Sequence, residues 1–231
     1  MEKNPRKRAQ LVPLLRQALN REQYTLRFQP VVELKSRVIK GVEGLLRWDH
    51  PAEGVVEPRE FLEAAQESGL IVPLGEWVAH QVCNLSRHYR HLAWFINVSA
   101  VELLQADFVR RFTKALESAQ LSRPDFIVVE IRESHLLGNS PQLLQSLREL
   151  RKWNVRLSVD DLSFQSLSLR QLQRLEFSYF KIDPELVQNL DQPFNRNLIR
   201  GALLAAEALG GKVIAEGIET AGQFEQLQEL G

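Results

Sequence analysis

The stretch Val155-Arg-Leu-Ser-Val-Asp-Asp-Leu162 is a short apolar, β-branched run that ends in two adjacent carboxylates, Asp160 and Asp161. Side chains alternate between the two faces of a β-strand, so neighbouring residues point in opposite directions in regular strand geometry. Both carboxylates can reach one ion-binding rim only if the strand ends there and the backbone turns. The stretch therefore predicts a strand that ends at a functional edge.

Other runs share this design, an apolar strand with one polar residue near its C-terminal end. They are Phe95-Ile-Asn97, Val128-Val-Glu130, Tyr179-Phe-Lys181 and Val213-Ile-Ala-Glu216. Helical patterns alternate with these strands, which indicates βα units and a parallel sheet with helices outside it. Polar ends on many different strands favour a barrel, because an open doubly wound sheet gathers its site at one switch point.

The N-terminal part of the chain differs from these βα units. Residues 5–22 carry leucines at helical spacing, and we expect residues 1–22 to form a connecting helix and residues 23–231 to form one domain. Two long strands follow, 24–34 and 38–48, close enough in sequence to form an antiparallel pair. After a last predicted helix at 220–230 the chain stops one strand short of a closed barrel, so we expect the closing strand to be missing from this chain.

Composition argues against several classes of protein. The chain has 29 Lys and Arg and 29 Asp and Glu, and a net charge of zero argues against a broad contact with long nucleic acid, so we expect no DNA binding. A single cysteine, Cys83, rules out an internal disulfide and fits a reducing compartment, which predicts a cytoplasmic location. The apolar residues around Cys83 place it on a buried helix face and not in a catalytic role. No apolar run is long enough to predict a membrane-spanning segment.

The polar strand ends together form a set of oxygen donors. The set contains five carboxylates and one amide: Glu43, Asn97, Glu130, Asp160, Asp161 and Glu216. Oxygen ligands suit Mg²⁺ or Mn²⁺, whereas Zn²⁺ prefers His and Cys. Buried carboxylates in this number would repel one another unless divalent cations lay between them. Two cations on the order of 4 Å apart could activate a water molecule and stabilise an in-line phosphoryl displacement.

Two basic residues complete this hypothesis. Lys181 could orient or deprotonate the attacking water, or neutralise charge that develops on phosphorus. Arg47 is placed to bind a substrate phosphate bidentately.

Each of these residues has a simpler interpretation when it is taken alone. Asp161 would be a helix N-cap or a solvated loop residue, and Arg47 a surface cation. Asn97 would be a turn former or, with Ser99, a helix cap. Lys181 and Asp183 would form an ion pair at a strand end. The joint alternative is weaker, because it needs six unrelated coincidences at strand ends.

From Tyr24 to Gly231 the chain resembles the EAL domain of cyclic di-GMP phosphodiesterases. The matching segments, in the family's order, are Phe28-Gln-Pro-Val31, Val42-Glu-Gly-Leu-Leu-Arg-Trp48, Glu57-Pro-Arg-Glu-Phe61, Asn97-Val-Ser99, Glu130-Ile-Arg-Glu-Ser134, Asp160-Asp161, Lys181-Ile-Asp183 and Ala215-Glu-Gly-Ile-Glu-Thr220. The resemblance implies an α/β fold, a TIM-like barrel with an antiparallel first strand. It also implies hydrolysis of cyclic di-GMP to linear pGpG with Mg²⁺ or Mn²⁺ at a two-metal site, and inhibition by Ca²⁺.

The resemblance further implies a role for each matching residue. The metal ligands would be Glu43, Asn97, Glu130, Asp160, Asp161 and Glu216. The catalytic residues would be Glu43, Lys181, which positions the attacking water, and Glu133, which braces the loop after Asp161. The substrate contacts would be Gln29, Arg47, Pro58, Asp183 and Glu219.

The chain departs from the family pattern at three places. The signature Glu-Ala-Leu reads Glu43-Gly-Leu45, a small-for-small change that should spare the ligand. Family members read Asp-Asp-Phe-Gly-Thr-Gly-Tyr-Ser-Ser after the strand, whereas this chain reads Asp160-Asp-Leu-Ser-Phe-Gln-Ser-Leu-Ser168 and lacks both glycines. Arg132 replaces the usual Thr near Glu130, which could insert a charge into the rim.

Three functions follow from these observations. We favour a cyclic di-GMP phosphodiesterase, because the ligand set and Lys181 are complete. The altered loop motivates the alternative, a catalytically weak or inactive receptor module that binds cyclic di-GMP. A scaffold ranks last, because it has no reason to retain six buried acceptors at one rim. In each case we expect a homodimer and an attached sensory or GGDEF-like domain.

Overall fold

The computed structural model describes residues 5–137, 140–163 and 169–231. Within these residues the strands are β1 (Tyr24–Val32), β2 (Ile39–His50), β3 (Gly54–Val56), β4 (Ala93–Asn97), β5 (Ile127–Arg132), β6 (Arg156–Leu162), β7 (Tyr179–Ile182) and β8 (Lys212–Ala215). The helices are α1 (Pro5–Asn20), α2 (Pro58–Glu67), α3 (Ile71–Ser86), α4 (Ala100–Leu103), α5 (Phe108–Ser118), α6 (Glu133–Leu136), α7 (Pro141–Lys152), α8 (Leu169–Leu175), α9 (Pro184–Gln188), α10 (Pro193–Ala208) and α11 (Ala221–Leu230).

The strands form one curled sheet, a partial barrel. β1 pairs antiparallel with β2, and the order continues through β4, β5, β6, β7 and β8, each parallel to its neighbour. β3 adds a short antiparallel extension to β2. Among the described residues β1 and β8 are the two ends of this order. The α/β fold, the TIM-like barrel and its antiparallel first strand are therefore confirmed.

Short elements are where the sequence-based prediction falls short. Strand β3 has only three residues, too few for the alternation on which strand prediction relies. Helices α4, α6 and α9 have four or five residues each, too few for the helical periodicity on which the prediction relied. The longer predicted helices and strands are present, with ends that differ by a few residues.

The outer face of the sheet packs against the helices in a large apolar core. Ile127, Val129 and Ile131 of β5 point outward and are fully buried. Cys83 of α3 belongs to the same core, as the sequence predicted. Since the central strands are covered on both sides, they read as continuous apolar runs and not as alternating ones.

A second apolar cluster attaches the N-terminal helix to the barrel. Leu15 and Ala18 of α1 are buried against Tyr24, Trp48 and Phe61. The hydroxyl of Tyr24 donates a hydrogen bond to the carbonyl oxygen of Leu15 at 3.1 Å. The C-terminal half of α1 therefore packs against the domain. In the described part of the chain, no helix combines the length and apolarity needed to cross a bilayer.

The interior of the barrel contains a tightly packed layer two residues below the polar strand ends. Phe95 lies two residues before Asn97, and Tyr179 two residues before Lys181, so each pair shares a face. The two rings meet edge to face with centroids 5.0 Å apart. A Cβ atom on Gly41 would lie 2.7 Å from the carbonyl oxygen of Ala93 and 2.8 Å from the ring of Phe95. This layer closes the bottom of the polar site.

This packing predicts that alanine destabilises the protein at one glycine and not at another. We expect Gly41→Ala to lower the free energy of unfolding by about 1–3 kcal/mol, because its Cβ meets backbone and ring atoms. Gly201→Ala in α10 is the matched control, since nothing lies within 4 Å of its Cβ position. That change should leave stability unchanged or raise it by up to about 1 kcal/mol through helix propensity. Denaturant unfolding measures both, and equal effects would contradict the packing described here.

Candidate functional site

The ammonium of Lys181 is the centre of a charged cluster at the carboxyl ends of the strands. Its Nζ lies 2.8 Å from Glu43 Oε2, 3.0 Å from Glu130 Oε1, 3.5 Å from Asp160 Oδ1 and 2.6 Å from Glu216 Oε1. Lys181, Glu43, Glu130 and Asp160 are buried, and Glu216 is partly exposed. The four carboxylates come from β2, β5, β6 and the residue after β8, so the tertiary fold assembles the cluster.

Strand register brings the predicted amide into the same group. Asn97, the last residue of β4, is the parallel partner of Glu130 on β5. Its Nδ2 donates a hydrogen bond of 2.6 Å to Glu43 Oε1. We call Glu43, Asn97, Glu130, Asp160, Asp161, Glu216 and Lys181 the acidic mouth. The structure brings all seven together, while their roles as ligands and catalyst remain predictions.

A local irregularity in β6 places Asp161 beside Asp160. The strand continues to Leu162, so it does not end at the aspartates as the sequence suggested. Instead, Asp161 has a φ of 53°, and the pairing with β7 shifts register between Val159 and Leu162. The left-handed region is open to Asp at modest cost. One oxygen each from Asp160, Asp161 and Glu216 consequently lies within 4.8 Å of the others.

Burial and mutual repulsion disfavour the charged form of the carboxylates. Burial raises the pKa of Glu130 well above its usual value; the ammonium of Lys181 opposes this rise, and Glu43 and Asp160 add to it. Burial likewise raises the pKa of Glu216. Burial raises the pKa of Asp161 too, and Asp160 adds to the rise while Arg132 opposes it.

The same surroundings favour the charged form of Lys181. Burial alone would lower its pKa, but Glu130, Glu43 and the other neighbouring carboxylates raise the pKa above the usual lysine value. The ammonium form is therefore strongly favoured. Of the three roles that the sequence left open, orienting a water or neutralising developing charge suits an ammonium better than abstracting a proton does.

The donor set fits a hard divalent cation. Both carboxylate oxygens of Glu130 and Oδ1 of Asp160 are buried without a hydrogen bond among the described residues. Lys181 lies 3.0 Å from Glu130 Oε1 and 3.5 Å from Asp160 Oδ1, but its three N–H donors are shared among four carboxylates. Buried acceptors without donors call for a further partner, and oxygen-only donors match Mg²⁺ or Mn²⁺.

Two consecutive residues at the end of β5 and the start of α6 contact Asp161 and the residues that follow it. Glu133 is buried, and its Oε2 accepts hydrogen bonds from Ser163 N at 2.8 Å and Ser163 Oγ at 3.0 Å. Arg132 is more exposed, and its Nε lies 3.3 Å from Asp161 Oδ2. Its charge therefore lies at the edge of the mouth and not at the centre. The rest of the altered loop, residues 164–168, lies outside the described residues.

The two predicted substrate contacts on the first strands share the face of Glu43. Gln29 is exposed and is the antiparallel partner of Glu43, so their side chains are neighbours. Arg47 follows Glu43 by four residues, about 13 Å further along β2. Its Nε lies 3.7 Å from Glu57 Oε1. Both positions are compatible with a ligand above the mouth, and contact with one remains a prediction.

The other predicted substrate contacts lie at helix starts. Pro58 opens α2, and the side chain of Asp183 caps α9 by accepting a hydrogen bond from Glu185 N at 2.8 Å. Glu219 is exposed, just before the Thr220 cap of α11. A structural role accounts for the position of Asp183, and a ligand contact for these three residues remains a prediction.

Glu102 is a buried structural residue of α4, the short helix that follows Asn97, and the sequence analysis missed it. Its Oε2 accepts hydrogen bonds from Ser99 N at 2.9 Å and Ser99 Oγ at 2.6 Å, and burial raises its pKa to about 7. Ser99 caps α4, which leaves Asn97 free to face Glu43. The Ser-x-x-Glu pattern of a capping box was the available signal.

The central ion cluster predicts a pH-dependent stability defect. Lys181→Met leaves buried carboxylates without their cation, so we expect a loss of about 3–5 kcal/mol at neutral pH. The pKa of Glu130 is already raised in the folded state and should rise further. A raised folded-state pKa gives stability at acidic pH that is lost as the pH rises through it. Relative to the wild type, the variant should therefore be less destabilised at acidic pH, and Mn²⁺ should restore part of its stability.

Thermal unfolding between acidic and neutral pH measures this effect. Lys212→Met is the control, because Lys212 is an exposed lysine at the start of β8. A Lys181→Met protein with the pH profile of the control would show that the ammonium does not balance these carboxylates.

Comparison with known proteins gives consistent matches over nearly the whole chain. A family model described as the EAL domain matches residues 14–231. The bifunctional diguanylate cyclase/cyclic di-GMP phosphodiesterase MucR of Pseudomonas aeruginosa is 36% identical over 237 residues, 100% of this chain and 34% of that protein. The cyclic di-GMP phosphodiesterase NbdA of the same organism is 34% identical over 222 residues, 93% of this chain and 28% of that protein. The chain thus spans about a third of the length of these relatives.

A solved structure supports the same relationship. The PaMucR phosphodiesterase in complex with c-di-GMP superposes with a TM-score of 0.90 at 34% identity, covering 96% of this chain and 92% of that chain.

Proposed function

Because the chain belongs to the EAL domain family, we propose that it hydrolyses cyclic di-GMP to linear pGpG with Mg²⁺ or Mn²⁺ at the acidic mouth. The observation that carries the proposal is the cluster of buried carboxylates at the strand ends, with acceptor oxygens left without donors. Relatives named as cyclic di-GMP phosphodiesterases support the substrate and the reaction. The superposed MucR structure, a c-di-GMP complex, supports the ligand.

In this proposal each group of the mouth has a distinct task. Glu43, Asn97, Glu130, Asp160, Asp161 and Glu216 would hold the divalent ions. When bound, these ions would supply an activated water and charge stabilisation for in-line displacement at phosphorus. Lys181, as an ammonium, would orient the water and offset negative charge in the transition state.

Residues around the mouth would hold the substrate and the loop. Arg47 would bind a phosphate of the dinucleotide, with Gln29 nearby on β1. Pro58, Asp183 and Glu219 would complete the substrate contacts. Glu133 would hold the segment after Asp161 through its two hydrogen bonds to Ser163.

Removal of one proposed ligand tests the hydrolysis. Purified protein with cyclic di-GMP and Mg²⁺ or Mn²⁺ should release pGpG, quantified by liquid chromatography. We expect Glu43→Gln to slow this release at least about 100-fold, since it replaces a proposed ligand and the acceptor for both Asn97 and Lys181. Glu149→Gln is the control, because it makes the same chemical change at an ion pair on α7. No pGpG from the wild type, or equal rates in all three proteins, would refute hydrolysis.

A receptor module is the second candidate, and the ion pair between Arg132 and Asp161 favours it. A guanidinium at this carboxylate reduces the negative charge available to a divalent ion. Such a protein would bind cyclic di-GMP with little or no turnover. Calorimetry with cyclic di-GMP, with and without metal, distinguishes the two functions: binding without pGpG supports the receptor, and no binding in either condition excludes it.

Several wider properties remain predictions. We propose a homodimer and an attached sensory or GGDEF-like domain, the latter supported by relatives about three times longer than this chain. The family resemblance implies inhibition by Ca²⁺, the single cysteine favours a cytoplasmic location, and the zero net charge argues against DNA binding.

A further inference from the structure

We propose that Arg132 is a tethered cation that competes with divalent metal for Asp161, and so weakens metal binding at the acidic mouth. The inference rests on the proposed function, because it concerns the same group of carboxylates. It assigns to Arg132 a positioning role in metal affinity, with no contact to the reacting atoms.

Strand register places Arg132 at the edge of the mouth. Arg132 is the last residue of β5 and the parallel partner of Asp160 on β6. Asp161 follows Asp160 on β6, and its left-handed backbone turns its side chain toward Arg132. The Nε of Arg132 and Oδ2 of Asp161 are therefore 3.3 Å apart without any rearrangement of the strands.

The same carboxylate belongs to the group best arranged for a metal ion. Oxygens of Asp160, Asp161 and Glu216 lie within 4.8 Å of one another, and Asp161 is its member nearest the solvent-exposed Arg132. A guanidinium at Asp161 neutralises part of the negative charge that would attract the ion. It also repels an incoming cation, so metal binding has to weaken or break the pair.

The strength of this competition is limited by exposure. The side chains of Arg132 and Asp161 are 63% and 44% exposed, so solvent screens the pair. Exposed ion pairs are worth little, which corresponds to an expected change in metal affinity of about two- to fivefold. Arg132 would therefore adjust the affinity and not abolish binding.

Two other roles of Arg132 make different predictions. If the pair is only a surface contact, removing it leaves metal affinity unchanged. If Arg132 holds Asp161 in place for the metal, removing it lowers the affinity. Only competition predicts tighter binding when the charge is removed.

Calorimetric titration of the protein with Mn²⁺, in the absence of any dinucleotide, distinguishes these roles. We expect Arg132→Gln to bind Mn²⁺ about two- to fivefold more tightly than the wild type at low ionic strength. Arg132→Lys keeps the charge and should bind close to the wild type. Arg156→Gln is the matched control, since Arg156 at the start of β6 forms a comparable exposed pair with Asp125 at 3.5 Å. The ratio of the Mn²⁺ affinities of Arg132→Gln and the wild type should approach one at about 1 M salt, where screening is nearly complete.

Unchanged or weaker Mn²⁺ binding by Arg132→Gln would overturn the inference, as would an equal gain in Arg156→Gln. Thermal unfolding of each variant shows whether it is folded. The result is independent of the pGpG assay: tighter Mn²⁺ binding by a protein that releases no pGpG would refute hydrolysis and keep the inference. If the wild type releases pGpG but Arg132→Gln binds Mn²⁺ no more tightly than the wild type, hydrolysis is supported and the inference is refuted.

Discussion

The burial of a single ammonium among four carboxylates is the constraint on which the rest of the structure depends. Lys181 lies within 3.5 Å of carboxylates from four separate parts of the chain. Removing these charges from water is costly, and the arrangement is tolerable only when the opposite charges are close. The strands that contribute these carboxylates must therefore end at the same level along the barrel axis and in the correct register. The charged cluster therefore constrains the relative positions of these strand ends at the barrel mouth.

The apolar layer below the mouth explains why these charges act so strongly. Phe95 and Tyr179 pack edge to face two residues beneath Asn97 and Lys181, and Gly41 gives the ring of Phe95 its space. Phe95 is buried beneath the mouth, so the buried carboxylates above it interact in surroundings of lower polarity than water. The same burial raises the pKa of Glu130 and leaves its oxygens without hydrogen bonds among the described residues. The burial of the strand ends thus accounts both for the tight packing around Phe95 and for the raised pKa of Glu130.

Much of this site can be predicted from the sequence, because its signal is local. An apolar run followed by one polar residue is readable without tertiary information, and it identified Asn97, Glu130 and Lys181 correctly as residues that meet. The left-handed backbone at Asp161 could not be predicted, because Asp tolerates a positive φ but more often adopts a negative one, and the irregular pairing with β7 is a tertiary feature. The pairing of Arg132 with Asp161 depends on the register between β5 and β6, which no single strand encodes.

The fold depends differently on Lys181, within the acidic mouth, and on Arg132, at its edge. Lys181 is buried and balances carboxylates that are mostly buried with it, so its charge is tied to the stability of the barrel. Arg132 is exposed, and water and salt can take its place at Asp161 with little effect on packing. A change at the buried position therefore alters fold and site together, whereas a change at the exposed position alters the site alone. If Arg132 competes with metal as proposed, a substitution there would change the charge at the edge of the mouth without disturbing the strands that form it.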